Sequence, residues 1–350
     1  MSEKSVAIIR KWVAPIIKYY IKNNMIFNPL ISGSLLRRFI SYKVAKTPLS
    51  IMIEPICGCN LKCPLCTTPH KYMTRKQGMM NYETYQKLLD DVHNFAIVFN
   101  FGFAGEPLLN PNLFKMVRDA AEYNIFTVVD TNSTLINKQR IEEILDSQLN
   151  LLILSIDSAN PTFFEQFRAG ANFKKTIEQI IKLCKVKKEQ KKTFPLIIAE
   201  VIVSRDNENQ LQAMYEWLMN KIGVDDVWFK AICFPLHSQG FSNDHSVSDL
   251  VEKYLPKNGR KRYNFVNGKL ELINPTMFCS WEHKCVILWD GRVGACCYDY
   301  DGTYTFGNLN EQHFLDIWNS KKYRYYREKL IRHKKLELCK KCSYSIDFGN

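Results

Sequence analysis

The sequence predicts an α/β protein: six βα units in series whose parallel sheet curls into a full or partial barrel, followed by a small loop-rich domain. Three observations carry this. Short apolar runs alternate with amphipathic stretches from about residue 49, the alternation stops near residue 259, and six of the twelve cysteines fall beyond that point. Strands alternating with helices pair in parallel through right-handed crossovers, because each helix must return the chain to the same end of the sheet. A region with few regular elements and many thiols is commonly held together by metal.

The elements follow in order. Residues 1–48 are a basic, aromatic-rich extension in which Ile8, Ile9, Trp12, Val13, Ile16, Ile17 and Tyr20 recur at helical spacing. Lys4, Arg10, Lys11, Lys18 and Lys22 lie between them, which describes a helix with one apolar stripe. Such a helix packs across the main domain with a kink at Pro15, or makes a weak membrane-surface contact through residues 4–22. No run of about 18 apolar residues escapes a charge, so a spanning helix is not expected. Strands are expected at Leu49–Ile53, Ile97–Phe101, Ile125–Asp130, Leu151–Ser155, Leu196–Val203 and Val227–Ile232. Between them, Tyr85, Leu88, Leu89 and Val92 mark one helix, and Phe173, Ile177, Ile180, Ile181 and Cys184 another. Asn110-Pro111 reads as a helix cap followed by proline at the first position. Further on, Asp290-Gly291 and Asp301-Gly302 signal hairpin turns, and one helix is expected over Phe314–Arg332. The resulting organisation is an extension at 1–48, a barrel at 49–258 and a cysteine-rich domain at 259–350.

Composition narrows the function classes. With 350 residues and 46% apolar content, the chain can bury a full core. No basic start, apolar core and small-residue cleavage site marks it for secretion, so its cysteines are expected in the reducing cytoplasm, where crowded thiols hold metal rather than disulfides. The formal charge of +13 is spread along the chain. Without a dense basic run interleaved with aromatics, it reads as a solvated surface and gives no clear sign of nucleic-acid binding.

The chemistry lies in Glu54-Pro55-Ile56-Cys57-Gly58-Cys59-Asn60-Leu61-Lys62-Cys63-Pro64-Leu65-Cys66. Three thiols spaced C-x3-C-x2-C on one loop suit an iron-sulfur cubane, since thiolates are soft ligands. Three thiolates leave one of four irons open, as a catalytic cluster requires. A zinc site or a ferredoxin-like cluster is the alternative. Against it, Ala104-Gly105-Glu106-Pro107, Thr131-Asn132-Ser133 and Ser155-Ile156-Asp157 each end a successive expected strand, and in a parallel barrel those ends share one rim.

The loop resembles the signature of the radical S-adenosylmethionine (SAM) superfamily, C-x3-C-x-Φ-C, with Leu65 at Φ. The resemblance implies a partial (β/α)6 barrel with a catalytic [4Fe-4S] cluster on Cys59, Cys63 and Cys66. It also implies SAM chelating the open iron, an electron donor such as flavodoxin or ferredoxin, and a 5′-deoxyadenosyl radical that takes hydrogen from a substrate. Gly105 and Glu106 lie in an element similar to the family's Gly-Gly-Glu-Pro, with alanine for the first glycine, and would meet the SAM amino group. Asn132 falls where the family often has Thr-Asn-Gly, Ser155 and Asp157 where a ribose or carboxylate contact is common, and Arg168 where the SAM carboxylate is often held. For Asp157 and Arg168, a helix cap or a surface ion pair is the structural alternative.

The C-terminal region resembles the SPASM and twitch extensions. Cys279, Gly291 and Cys296, then Gly307-Asn308, Ile317-Trp318 and a terminal C-x2-C at Cys339 and Cys342, carry that likeness. It implies an auxiliary [4Fe-4S] cluster on Cys279, Cys296, Cys339 and Cys342, in the single-cluster, twitch-like form because eight residues follow Cys342. Cys297 is an alternative to Cys296, and zinc an alternative metal. Cys57 and Cys285 have no assigned partner, and Cys184 and Cys233 read as packing thiols. The expected substrate is a polar small molecule of sugar or aminocyclitol type, oxidised with the help of the auxiliary cluster. The alternatives are a ribosomally made peptide, or a non-enzymatic iron-sulfur or zinc protein. No general acid or base is identified, although Lys230 and His237 fall at the right rim.

Overall fold

The computed structural model describes residues 47–69, 72–236, 238, 247–273, 279–331, 335–340 and 342. The expected helix at residues 4–22 and His237 lie outside the described residues. Six parallel strands, β1 (Ser50–Ile53), β4 (Val98–Phe101), β5 (Phe126–Thr131), β6 (Leu151–Ser155), β7 (Leu196–Val203) and β8 (Asp226–Ala231), lie side by side in chain order. They form the wall of the partial (β/α)6 barrel. A short antiparallel ribbon, β2 (Ile56–Cys57) with β3 (Gly78–Met79), brackets the cysteine loop.

Helices α1 (Tyr82–Val92), α2 (Leu113–Glu122), α3 (Lys138–Asp146), α4 (Pro161–Phe167), α5 (Phe173–Glu189), α6 (Leu211–Trp217) and α7 (Val247–Tyr254) follow the strands. Four of them are capped by an asparagine side chain. The side chains of Asn81, Asn137, Asn160 and Asn172 accept from the amides of Thr84, Arg140, Phe163 and Lys175 at 2.7–3.1 Å, answering donors that a helix start leaves open.

The two faces of the sheet divide the labour. Ile51, Ile53, Phe99, Phe101, Val129, Leu152 and Leu154 pack with Tyr85, Leu88, Val92, Ile180 and Leu183 in the main core. Alternate residues point the other way, and Val98, Val128, Ile153 and Ile198, with Trp228 against them, build an apolar floor inside the barrel. Two residues further along each of those strands, on the same face, stand Asn100, Asp130, Ser155, Glu200 and Lys230. Every strand from β4 to β8 therefore carries one polar residue above the floor, towards the rim.

The C-terminal region is built onto this sheet. Strand β11 (Lys284–Ile287) pairs with β1 in parallel, Ser50 opposite Lys284, and β12 (Arg292–Gly294) and β13 (Thr305–Asn308) extend it antiparallel. The β11–β12 turn uses Asp290-Gly291 as expected, with Gly291 at φ +86°, a conformation glycine adopts freely. Asp301-Gly302 is a turn within the long β12–β13 connection instead, its amide closing on Asp299 at 3.0 Å.

Two further expectations need correction. Asn110-Pro111 does not start a helix. The Asn110 amide donates to the carbonyls of Pro55 at 2.8 Å and Met80 at 3.2 Å, and α2 begins at Leu113. The single helix expected over Phe314–Arg332 is broken at Ser320, where the backbone turns extended and the hydroxyl caps the next helix. This gives α8 (Phe314–Asn319), α9 (Lys321–Tyr325) and a wider π-type turn at Tyr326–Ile331. The antiparallel pair β9 (Tyr263–Val266) and β10 (Lys269–Leu272) was not expected. Its Asn267-Gly268 connection is a strong hairpin signal in the sequence. A last short helix, α10 (Glu337–Lys340), carries Cys339.

Candidate active site

The cysteine loop leaves β2 and is clamped from two sides. On one side, Gly105 adopts φ +99°, and a Cβ there would lie 2.3 Å from the Ile56 oxygen and 2.6 Å from that of Gly58. The neighbouring Glu106 amide donates to Gly58 O at 2.8 Å. Only glycine allows both the positive φ and the close approach. On the other side, the turn after α4 reaches in, with Lys62 N donating to Ala169 O at 2.7 Å.

Within this frame Cys59, Cys63 and Cys66 are half-buried and none is in a disulfide. Burial pushes all three thiols up, and each also feels its neighbours' charge. Cys59 Sγ accepts from Leu61 N at 3.4 Å and from Asn132 Nδ2 at 3.6 Å, and the Arg168 guanidinium lies against Cys63. Three soft donors on one loop, with N–H groups and a cation aimed at their sulfurs, fit the anionic thiolates of an iron-sulfur cluster. Leu65 packs on the group formed by Phe163 and Phe167.

The residues expected around SAM converge on the same rim, and most are occupied with one another. Glu106 is 1% exposed. Its Oε1 accepts from Leu108 N at 3.1 Å and Thr131 Oγ1 at 2.7 Å, and its Oε2 from Asn132 N at 2.7 Å. The carboxylate thus stitches the β4 loop to the end of β5, although burial raises its pKa. Asn132 links onward to Asn60 Oδ1 at 3.0 Å. Asp157 accepts from Ile202 N at 2.9 Å and from Arg168 Nε at 2.6 Å. Arg168 is also the C-cap residue of α4, so the cap and the ion pair both exist, in a buried setting that touches Cys63. Ser155 ends β6 opposite Glu200.

Between the cysteine loop and the C-terminal region runs a buried connection that the sequence did not disclose. Arg75 holds Glu54 with both terminal nitrogens, one of them at 2.8 Å, and its Nε donates to Tyr300 O at 2.5 Å. Trp289 N donates to the same carboxylate at 3.1 Å, and Thr74 Oγ1 to Asp301 at 2.8 Å. The signal was a charged residue ending a buried strand immediately before the signature.

In the C-terminal region the thiols of Cys296 and Cys297 both lie near Cys279, and that of Cys297 also near Cys342. Cys342 N donates to Cys339 O at 3.2 Å, closing the C-x2-C turn. Cys57 and Cys285 are packing residues. Cys57 sits with Met73 and Ala104, its thiol pushed up to about 12 by burial, and Cys285 is sealed in the main core. Cys184 packs as expected, whereas Cys233 Sγ lies 3.4 Å from Tyr298 OH and 3.6 Å from Tyr263 OH.

Inside the barrel, Asn100 Nδ2 donates to Asp130 Oδ2 at 3.0 Å, and Lys230 forms an ion pair with Glu200. Burial and the nearby Glu200 lift the Asp130 carboxyl to about 6. The two carboxylates keep Lys230 protonated against its own burial, so it is not a ready base. Asn100, Asp130 and Glu200 were not singled out from the sequence. Their only signal is a polar residue at alternate positions of otherwise apolar strands.

An open α/β barrel whose rim gathers three thiols, joined to a second thiol-rich region, defines a cluster-dependent enzyme. A profile of the radical SAM superfamily matches residues 53–218, and one described as an iron-sulfur cluster-binding domain, SPASM, matches residues 279–343. The chain belongs to the radical SAM superfamily and carries a C-terminal SPASM domain. It is an enzyme that works with a [4Fe-4S] cluster, SAM and auxiliary iron-sulfur chemistry. It is 28% identical over 304 residues to the tungsten-containing aldehyde ferredoxin oxidoreductase cofactor-modifying protein of Pyrococcus furiosus, covering 79% of this chain and 82% of that one. It is 23% identical over 308 residues to the AdoMet-dependent heme synthase of Methanosarcina barkeri, covering 79% and 84%. Among solved structures, anSMEcpe with bound AdoMet superposes with a TM-score of 0.58 at 19% identity, over 84% of this chain and 86% of that one. Streptococcus suis SuiB bound to its precursor peptide SuiA also gives 0.58, at 14% identity over 89% and 78%. Among the described residues, no helix is long and apolar enough to cross a membrane.

Proposed function

We propose that this enzyme oxidises or remodels a polar small molecule. The observation that carries the reading is the charged layer of Asp130, Glu200 and Lys230 above the barrel floor. A charged layer above an apolar floor inside a barrel suits a small polar ligand that enters the lumen. The Pyrococcus furiosus and Methanosarcina barkeri relatives, named for modifying a cofactor and for making heme, agree with a non-peptide substrate.

In this reading Cys59, Cys63 and Cys66 hold the catalytic cluster, and Cys279, Cys339 and Cys342 with Cys296 or Cys297 hold the auxiliary one. When bound, the catalytic cluster and SAM supply a 5′-deoxyadenosyl radical that removes hydrogen, and the auxiliary cluster supplies an acceptor for the electron left behind. Gly105 and Asn132 shape the SAM side of the loop, Glu106 fixes the two strand ends on which they sit, Leu65 covers it, and Ser155 faces it from β6. Arg168, held by Asp157, places positive charge beside Cys63. Electrons would come from a flavodoxin- or ferredoxin-type donor in the cytoplasm.

The test is deuterium transfer into 5′-deoxyadenosine from labelled sugars, aminocyclitols and peptides, using anaerobically reconstituted protein with dithionite. Transfer from sugars or aminocyclitols is expected. Transfer from peptides alone would sink the small-molecule reading.

A further inference from the structure

The positive charge, expected to be spread along the chain, is concentrated in one place. Residues 321–341 hold ten lysines and arginines against two glutamates, a net +8 of the chain's +13. In α9 and the turn after it, Lys321, Lys322, Arg324 and Lys329 are exposed. The flanking ion pairs, His313 with Asp91 and Lys340 with Glu337, use none of the four. Tyr325 stands among them at 60% exposure. Like charges gathered on one surface repel one another and steer a partner of opposite charge towards it.

What lies beneath the patch says which partner. Tyr323 and Tyr326 are buried. Both pack on the Phe306 ring of β13, with centroids 4.0 and 4.7 Å away, and so fix the basic segment to the C-terminal sheet. Tyr326 also lies near Cys296 and Cys339. Two consecutive residues therefore lead from the exposed patch, at Tyr325, to the auxiliary thiols, at Tyr326. A single-stranded nucleic acid is held by bases stacked on open aromatic rings, and two of these three tyrosines face inward. Charge beside buried cluster thiols fits an acidic protein that exchanges electrons, since redox encounters are small, weak and guided by charge.

We propose that α9 and the turn after it form the docking surface for an acidic, ferredoxin-type carrier that takes one electron from the auxiliary cluster. The cluster is oxidised by one electron, the carrier's iron-sulfur centre is reduced by one, and no bond forms or breaks. This rests on the reading above, in which the auxiliary cluster accepts the electron left by hydrogen removal.

The experiment titrates the anaerobically reconstituted full chain with an oxidised ferredoxin in a calorimeter. Ionic strengths of about 0.01 M and about 0.1 M are compared, between which the screening length falls from about 30 Å to about 10 Å. Binding is expected at the lower ionic strength and should weaken at the higher. Lys321→Glu/Lys322→Glu/Arg324→Glu should weaken it at least about tenfold, whereas Lys174→Glu/Lys175→Glu/Lys182→Glu, the same charge change at exposed positions of α5, should leave it within about twofold. Iron per chain and dithionite-driven 5′-deoxyadenosine formation should match wild type in both variants. No binding, binding indifferent to salt, or equal losses in the two variants would overturn the proposal, the last by making it an effect of net charge. Displacement of the ferredoxin by a single-stranded RNA oligonucleotide or by phosphatidylglycerol vesicles would overturn it too, giving the patch to a nucleic acid or a membrane. Iron lost from the α9 variant would do the same, by making these residues structural. Deuterium transfer from a sugar without ferredoxin binding would remove the docking surface and leave the proposed function standing.

Discussion

Replacing Gly105 with alanine perturbs the catalytic loop through one carbon atom. The new Cβ would meet the Ile56 oxygen at 2.3 Å, the Gly58 oxygen at 2.6 Å and the Gly58 nitrogen at 2.8 Å, all of them backbone. Backbone cannot swing aside as a side chain can, so the loop must move or β4 must. The positive φ costs a residue with a Cβ about 1–2 kcal/mol, and overpacking at this contact adds roughly 1–3 kcal/mol. Strain of that size, relieved by displacing the loop, depopulates the cluster-holding geometry by about tenfold or more, since each 1.4 kcal/mol is a factor of ten. The C-terminal thiols are untouched and serve as an internal reference. Iron per chain after anaerobic reconstitution should fall by the catalytic cluster's share, and 5′-deoxyadenosine formation should fall at least as far. Full iron loading with wild-type turnover in Gly105→Ala would refute the claim that this contact positions the loop.

Three further outcomes follow from the geometry. Arg75→Met strands the Glu54 carboxylate without its cation, and denaturant unfolding should report a loss of about 3–5 kcal/mol, largely recovered in the double variant Glu54→Gln/Arg75→Met; no recovery would show that the pair is not the source. Because burial lifts the Asp130 carboxyl from 3.8 to about 6, its favourable contribution is complete below pH 3.8 and is lost as pH rises through 6. Asp130→Asn should therefore be more stable than wild type at pH 8 by up to about 3 kcal/mol, with the gap closing below pH 3.8; a gap that ignores pH would contradict this. Replacing Cys59, Cys63 and Cys66 together by alanine should abolish 5′-deoxyadenosine and leave only auxiliary iron in the Mössbauer spectrum, whereas Cys339→Ala/Cys342→Ala should do the reverse to the iron and spare SAM cleavage; unchanged iron in either would displace the ligand assignment.

What the sequence disclosed was local. Leu151–Ser155 and Leu196–Val203 are strands with the bounds their continuous apolar runs suggest, and the cysteine loop announces itself by spacing. What it concealed depends on partners distant along the chain. Asn110 reads as a cap until Pro55 and Met80 claim its amide. Glu106 also accepts from β5 and its own loop, bonds that no local pattern of the sequence shows. Asn100 and Asp130 become neighbours only once β4 and β5 take their register. The Asn267-Gly268 hairpin is the opposite case, a turn that its two residues specify locally.

The four-residue strand β11 has a practical consequence. Since it is laid against β1 by main-chain bonds, the separation of the two thiol-rich regions is built into a ladder. A fragment stopped at residue 258 would bare the amide and carbonyl edge of β1, an invitation to edge-to-edge aggregation. A chimera that borrows another protein's C-terminal region must bring this strand along and match its register, or the two thiol-rich regions will no longer stand at the separation this chain sets.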